Sequence, residues 1–258
     1  MEWQEISGNW VYLPRQEIVG IIHFLGGAFV ATAPQVSYRS ILEQLGKAGY
    51  GIIATPFLNT LDHFAIARDV LNRFETVLER LQKNNKLGKS YLPIYGVGHS
   101  MGCKLHLMIG SIYDIERAGN ILISFNNYPV NKAIPFMEQL NLAPMLEVEF
   151  TPSPLETTKL IAENYCIRRN LLLKFNQDNL DQTINLNSVL SDRFPDMITM
   201  KTMTGNHLTP LNQKVKWQSS SFFTPVDAIG QWFSQEMSRN LQSLQQELII
   251  WLNPLSAF

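Results

Sequence analysis

Cysteine is nearly absent: the chain has two, Cys103 and Cys166, and neither belongs to a Cys-x-x-Cys pair. That excludes a disulfide framework and a thiolate metal clip, and it favours a reducing compartment. Excess charge of one sign is missing too. Lys+Arg 21 against Asp+Glu 22 leaves a net charge of -1, so nothing neutralises a phosphate backbone and nucleic acid is not an expected partner. No apolar run reaches the ~20 residues of a bilayer span. The most apolar stretch, Ile18 to Ala33, is interrupted by His23 and by Gly26-Gly27, and reads as strand plus turn. The opening Met-Glu-Trp-Gln-Glu carries acid where a secretory signal would carry Lys or Arg, and it lacks the Arg/Ser richness of a transit peptide. A cytoplasmic protein without a transmembrane segment is expected, with peripheral membrane contact left open. His23, His63, His99 and His106 have no metal-ligand spacing with carboxylates or thiols, so neither a metal nor a cofactor is expected. What remains is globular: 45% hydrophobic, 10% aromatic and 17% charged residues, far from the signature of disorder.

The pattern along the chain alternates strands and helices. Asn9 to Leu13 alternates apolar and polar residues up to Pro14 and predicts an edge strand. Ile18 to Phe24 is a β-branched run ending in glycines, as expected of a parallel strand buried on both faces. Further strands are predicted over Tyr50 to Ala54, Leu92 to Gly98, Asn120 to Phe125, Leu171 to Phe175 and Met197 to Met203. Helices are predicted over Val36 to Ala48, His63 to about Lys86 and Met101 to Ser111. Such alternation predicts an α/β fold, a doubly wound and mostly parallel sheet in one domain over residues 1–258. Residues 126–165 break the rhythm with Pro129, Pro135, Pro144, Pro152 and Pro154 and read as a cap insertion. A final helix from about Val226 to Trp251 shows an apolar stripe at Ile229, Phe233, Met237, Leu241, Leu244 and Leu248, suited to covering the sheet.

The local signal with most chemical content is Gly98-His99-Ser100-Met101-Gly102, a G-x-S-x-G between a predicted strand and a predicted helix. A strand that turns sharply into a helix strains the corner residue and needs tiny residues two before and two after it; the corner hydroxyl then stands clear of the sheet. Ser100 is the candidate nucleophile. Gly96-x-Gly98-x-x-x-Gly102 also resembles a dinucleotide-binding turn, but the next strand runs into Asn126-Asn127 with no acid for a ribose hydroxyl. A serine needs a base, and the base an orienting carboxylate, in the chain order Ser, Asp, His. Asp178 and Asp181 follow one predicted strand, and His207 follows another in Gly205-Asn-His-Leu-Thr-Pro210. Asp178 is favoured as the acid, with Leu180 turning back into the core, and Asp181 as a helix cap. An oxyanion needs two backbone N–H donors: Met101 supplies one, and His23-Phe24-Leu25-Gly26-Gly27 resembles the His-Gly-x-Gly-Gly loop of α/β-hydrolases, with Leu25 in the donor position and Gly26 or Gly27 as substitutes. Cys103 reads as a small core residue.

Together the runs His23 to Phe29, Gly98 to Gly102, Ser124-Phe-Asn-Asn-Tyr-Pro129 with Asn131 to Pro135, and Gly205 to Pro210 resemble an α/β-hydrolase-like family of cyanobacteria and plastids known as domain of unknown function 1350. The resemblance implies an α/β-hydrolase fold and an oxygenic phototroph as source, and it leaves the reaction open. The residues themselves predict a serine hydrolase in which Ser100 attacks, His207 moves the proton and Asp178 orients the imidazole. The expected substrate is an ester, thioester or amide with an apolar acyl part, lipid included, and Phe136 and Met137 of the insertion are candidate substrate contacts. The alternatives are a catalytically silent binding or assembly protein on the same fold and an acyltransferase.

Overall fold

In the computed structural model, which describes residues 2–130, 149–212 and 235–253, the β-rich runs assemble into one eight-stranded sheet. The strands are β1 (Gln4–Ile6), β2 (Asn9–Tyr12), β3 (Gly20–Leu25), β4 (Tyr50–Ala54), β5 (Ile94–His99), β6 (Gly119–Ile123), β7 (Asn170–Phe175) and β8 (Ile198–Met203). They lie in the order β1-β2-β4-β3-β5-β6-β7-β8; β1 and β2 run antiparallel to their neighbours and every other pairing is parallel. Each parallel return is made by a crossover that packs on a sheet face. The helices described are α1 (Pro34–Ser37), α2 (Arg39–Lys47), α3 (His63–Lys83), α4 (Met101–Ile112), α5 (Pro154–Asn164), α6 (Thr183–Arg193) and α7 (Gln235–Leu252).

Successive strand residues point to opposite faces, so each buried strand feeds two cores. Ile22 and Phe24 of β3 join Tyr38, Ile41 and Leu45 beside α2 and Leu244 and Leu248 of α7 on one face. Ile21 meets Phe74 and Val77 of α3 on the other. Leu25 packs with Leu105 and Met108 of α4. Leu122 and Leu172 meet Ile161 of α5 and Leu186 of α6. The result is a helix–sheet–helix sandwich, the expected α/β class.

Two local expectations are revised. Asn9–Tyr12 is not the sheet edge, because β1 pairs outside it; three largely exposed residues, Gln4, Glu5 and Ile6, carry too little pattern to announce a strand. The insertion is shorter than 126–165. Ser153 and Glu156 form a reciprocal capping box with Pro154 in the first turn, and α5 follows, its Ile161 buried against Leu107 of α4. That stretch therefore belongs to the sheet-covering layer. Of the final stripe, Leu241, Leu244 and Leu248 are buried in the main core as a covering helix requires, whereas Ile229 and Phe233 lie outside the described residues. Among the described residues no helix is long and apolar enough to cross a membrane, and no cluster of His, Cys, Asp or Glu has a metal-holding arrangement.

Four of the five histidines are buried. His23 stacks on Phe74 with ring centroids 4.2 Å apart and donates to the Thr55 hydroxyl at 3.2 Å, while Thr55 in turn donates to Asn9 Oδ1 at 2.6 Å. Loss of hydration pulls His63, His99 and His106 down to about 3 and His23 well below its ordinary value. The native state thus refuses protons that the unfolded chain accepts below pH 6.5. Stability rises with pH wherever the unfolded state binds more protons, so unfolding free energy should be flat above about pH 7 and should fall below it, by up to about four protons' worth of slope near pH 5. Urea titrations from pH 5 to 8 measure this, and His106→Gln should remove about one proton from the slope; an unchanged slope would contradict a neutral buried His106.

Candidate active site

Strand β5 becomes helix α4 within one residue, Ser100, at φ 55 and ψ -117. A non-glycine residue at positive φ is costly unless its surroundings over-determine it. They do here. A Cβ on Gly98 would lie 2.6 Å from backbone atoms of Gly102 and Cys103, and one on Gly102 would lie 2.0 Å from the Leu25 carbonyl oxygen. Both glycines are forced by the closeness of strand, helix and the end of β3. Ser100 N–H donates to the Ile123 carbonyl at 2.9 Å, locking the corner to β6. Cys103 is fully buried, its thiol 3.2 Å from the carbonyls of Gly98 and Ile123.

The Ser100 hydroxyl accepts a 2.9 Å hydrogen bond from Asn126 Nδ2, and among the described residues this is its one hydrogen bond. Sequence reasoning missed Asn126, treating Asn126-Asn127 only as a missing acid. The available signal was two amides just past a fully buried strand that neighbours the elbow strand. Asn127 N–H donates to Gln182 Oε1 at 2.6 Å and Gln182 N–H to the Phe125 carbonyl at 2.7 Å, so the loop after β6 is tied to the loop after β7.

Asp178 and His207 are brought together: His207 Nδ1 lies 2.8 Å from Asp178 Oδ2. The two loops that carry them are cross-linked. Asn176 N–H donates to Met203 O at 2.9 Å, Gln177 N–H to Gly205 O at 3.0 Å, and Gly205 N–H to Asn176 Oδ1 at 3.1 Å. Gly205 sits at φ 137, where an added Cβ would lie 2.4 Å from Thr209 Oγ1, so the turn before His207 requires glycine. Burial would raise the Asp178 pKa, but the hydrogen bonds from His207 Nδ1–H and from the Leu180 N–H outweigh it and hold the carboxyl below its ordinary range. A carboxylate only accepts, so His207 Nδ1 carries the proton and Nε2 is left with its lone pair.

The second acid behaves otherwise. Asp181 accepts from Thr183 N–H at 2.9 Å and from its hydroxyl at 2.8 Å, at the start of α6, and burial pushes its pKa up. Leu180 differs from expectation. It is 40% exposed, because its N–H turns to Asp178 Oδ1 at 2.9 Å and the tight turn faces the side chain outward.

The candidate oxyanion donors divide by what their N–H groups already do. Met101 is the first residue of α4, where an N–H has no intrahelical acceptor. Leu25 ends β3. Ile21 N–H donates to Pro93 O at 2.9 Å, and the parallel register repeats that direction every second residue, so Leu25 N–H is turned toward β5. Gly27 N–H is held by the Tyr38 hydroxyl oxygen at 2.7 Å. Gly26 N–H has no partner among the described residues. The loop is close to the nucleophile: a Cβ on Gly27 would lie 3.4 Å from Ser100 Cβ. Phe136 and Met137 lie outside the described residues. A cavity of about 310 Å³ adjoins the loop after β6, walled by Phe125, Asn127, Leu155, Ile161, Leu186 and Val189.

Comparison with known proteins agrees with this architecture. The family described as "Protein of unknown function (DUF1350)" matches residues 2–254. No curated protein sequence matches significantly. Among solved structures the chain is similar to S-formylglutathione hydrolase (FrmB) of Staphylococcus aureus, at 14% identity and TM-score 0.58 over 95% of this chain and 92% of that one. It is similar to carboxyl esterase 2 of Tuber melanosporum, at 15% identity and TM-score 0.59 over 96% and 84%. It is also similar to the monoacylglycerol lipase of Paleococcus ferrophilus, at 13% identity and TM-score 0.54 over 98% of each chain. These likenesses establish the α/β-hydrolase fold.

The packing at the elbow makes a direct prediction. Gly102→Ala drives a methyl group into backbone and not into a movable side chain, so it should cost on the order of 3 kcal/mol. Thermal unfolding measures it; a midpoint within about 2 °C of wild type would contradict the contact with Leu25.

Proposed function

The chain belongs to the DUF1350 family and has the α/β-hydrolase fold, and from that premise we propose that it is a serine hydrolase acting on an ester, thioester or amide with an apolar acyl part. The observation that carries this reading is the 2.8 Å bond between His207 Nδ1 and Asp178, on the same sheet edge as a serine held at positive φ. Ser100 Oγ attacks the carbonyl carbon and its proton passes to His207 Nε2. Asp178, already the acceptor of Nδ1–H, stabilises the imidazolium that forms. The carbonyl oxygen gathers negative charge at the N-terminus of α4, where Met101 N–H donates; the second donor is assigned to Gly26, since Leu25 N–H faces β5 and Gly27 N–H is taken. The imidazolium then protonates the leaving group, and a water activated by His207 releases the acid and restores Ser100.

Asn126 touches the nucleophile itself. Its amide N–H occupies one lone pair of Ser100 Oγ, leaving the hydroxyl proton to be directed at the base, and it opposes charge that builds on Oγ during attack. The same reading keeps Phe136 and Met137 as candidate substrate contacts, so replacing both with serine should raise KM for long-chain esters more than for acetates. A uniform loss across chain lengths would instead mean damaged folding.

The alternatives part from this reading in simple assays. A silent binding protein on this fold would leave wild-type protein unlabelled by a fluorophosphonate, and an acyltransferase would label but need an acceptor other than water to turn over. We expect wild type to label and Ser100→Ala to be folded and unlabelled; labelling of the mutant would remove Ser100 from the mechanism. Measured side by side on a short ester, Asp178→Asn should lose about 10⁴ in kcat through the wrong imidazole tautomer. Asp181→Ala, which removes the acceptor of the Thr183 N–H and hydroxyl, should stay active and lose about 1 kcal/mol of stability at the start of α6. The opposite pattern would exchange the two roles.

A further inference from the structure

The residue before the nucleophile is a histidine, and it too is part of a connected arrangement. His99 ends β5 and is 2% exposed. Its Nε2 is 3.0 Å from the backbone carbonyl of His207, and its Nδ1 is 2.8 Å from the hydroxyl of Tyr38. Tyr38, fully buried at the junction of α1 and α2, receives the Gly27 N–H on the same hydroxyl oxygen at 2.7 Å. The direction of every link is fixed by chemistry. A carbonyl only accepts, so His99 Nε2 carries the proton. His99 Nδ1 is then an acceptor, and Tyr38 O–H must donate to it. The Tyr38 oxygen is left free to accept from Gly27.

We propose that Tyr38 and His99 form a positioning relay, Gly27 N–H to Tyr38 to His99 to the His207 carbonyl, that sets the oxyanion loop and the base in register on either side of Ser100. This deepens the hydrolase reading above and rests on it. Neither side chain touches the reacting atoms; both act through backbone. Holding Gly27 fixes the peptide that precedes it, and with it the aim of Gly26 N–H. Holding the His207 carbonyl fixes the backbone from which the imidazole reaches Asp178.

The close packing agrees with a fixed part. A Cβ on Gly26 would lie 2.7 Å from the Tyr38 ring, and one on Gly27 would lie 3.3 Å from His99 Nδ1 and from the Tyr38 hydroxyl. The two glycines of the loop are thus shaped by the relay as well as by the nucleophile. The charge state is also fixed. Burial lowers His99 to about 3 and raises Tyr38, so both stay neutral and the polarity of the chain does not reverse at working pH. Neutrality matters for the reaction, because the His99 and His207 rings are 4.9 Å apart and a second cation there would oppose the imidazolium.

The test compares Tyr38→Phe, His99→Gln and His99→Leu with wild type, after far-UV circular dichroism has shown each to be folded. With a short-chain ester, Tyr38→Phe should lower kcat by roughly 10- to 100-fold with KM within about twofold, the signature of displaced groups and not of lost binding. His99→Gln, whose amide N–H can still reach the His207 carbonyl, should retain about tenfold more kcat than His99→Leu. Nitrogen NMR of wild type should find His99 protonated at Nε2 alone, and Gly27 amide exchange should quicken in Tyr38→Phe. Wild-type kcat in Tyr38→Phe, or equal loss in the two His99 variants, would overturn the positioning role. Should wild type prove inert to fluorophosphonate and esters alike, the hydrolase reading fails on its own. The relay is then decided by NMR: a His99 protonated at Nδ1, or an unchanged Gly27 exchange rate, would overturn it, and the expected spectra would uphold the link.

Discussion

The N-terminus of α4 approaches the end of β3 so closely that only a hydrogen atom fits between the Gly102 Cα and the Leu25 carbonyl. Much of the site's geometry follows from that one contact. It fixes the angle at which β5 gives way to helix, which forces Ser100 to positive φ and leaves no room for a side chain at Gly98. It also brings the loop after β3 beneath the nucleophile. The candidate oxyanion loop and the serine are therefore placed by one packing constraint, and the strain at Ser100 is retained because the sheet on one side and the helix on the other allow no other path.

The remaining site residues are held by backbone groups donating across loops. The loop after β6 is tied to that after β7 through Gln182, the loops after β7 and β8 through Asn176 and Gly205, and the loops after β3 and β8 through Tyr38 and His99. The Gly27–Tyr38 bond is buried and the others half-buried, and a donor taken out of water without a partner costs more than a made bond contributes. Displacing one loop thus leaves orphaned donors on its neighbour, so the edge of the sheet behaves as a single unit. An open parallel sheet has its sites at the carboxyl ends of its strands, and here that edge is stiffened by links between five of them.

What the sequence made legible is what depends on short-range sterics or strand order. Gly98 is readable because the demand for a hydrogen there arises within five residues, from Gly102 and Cys103; Gly102 is readable through its spacing from Ser100, although the atom that excludes its side chain is the distant Leu25 carbonyl. Asp178 and His207 are readable because each follows a strand in the order the fold requires. Asn126 and Tyr38 are not: Asn126 meets Ser100 only because β6 lies beside β5, and Tyr38 meets His99 across 61 positions. Leu180 was misjudged because an apolar residue after an acid suggests burial, whereas the local turn onto Asp178 decides its direction. The helix α5 was legible and overlooked. Ser153-Pro-Leu-Glu156 is a capping box, but prolines around it read as loop, and the long-range fact that Ile161 faces Leu107 lay outside the pattern.

A fold used only as a scaffold has no need of the features concentrated at this edge. A serine at positive φ costs of order 1–3 kcal/mol relative to a glycine-built turn. The Asp178 side chain has no exposed surface, and its charge is stable there because His207 and nearby backbone N–H groups answer it. Among the described residues His207 Nε2 has no hydrogen-bond partner, and a nitrogen that accepts nothing contributes nothing to folding. Strain and an idle lone pair each lower stability or leave it unimproved, and both lie beyond the ends of strands at one edge of the sheet, β5 for Ser100 and β8 for His207. Such local departures from the stablest arrangement favour the proposed hydrolase reading over a silent scaffold, since groups aimed at a transition state cannot also be satisfied at rest.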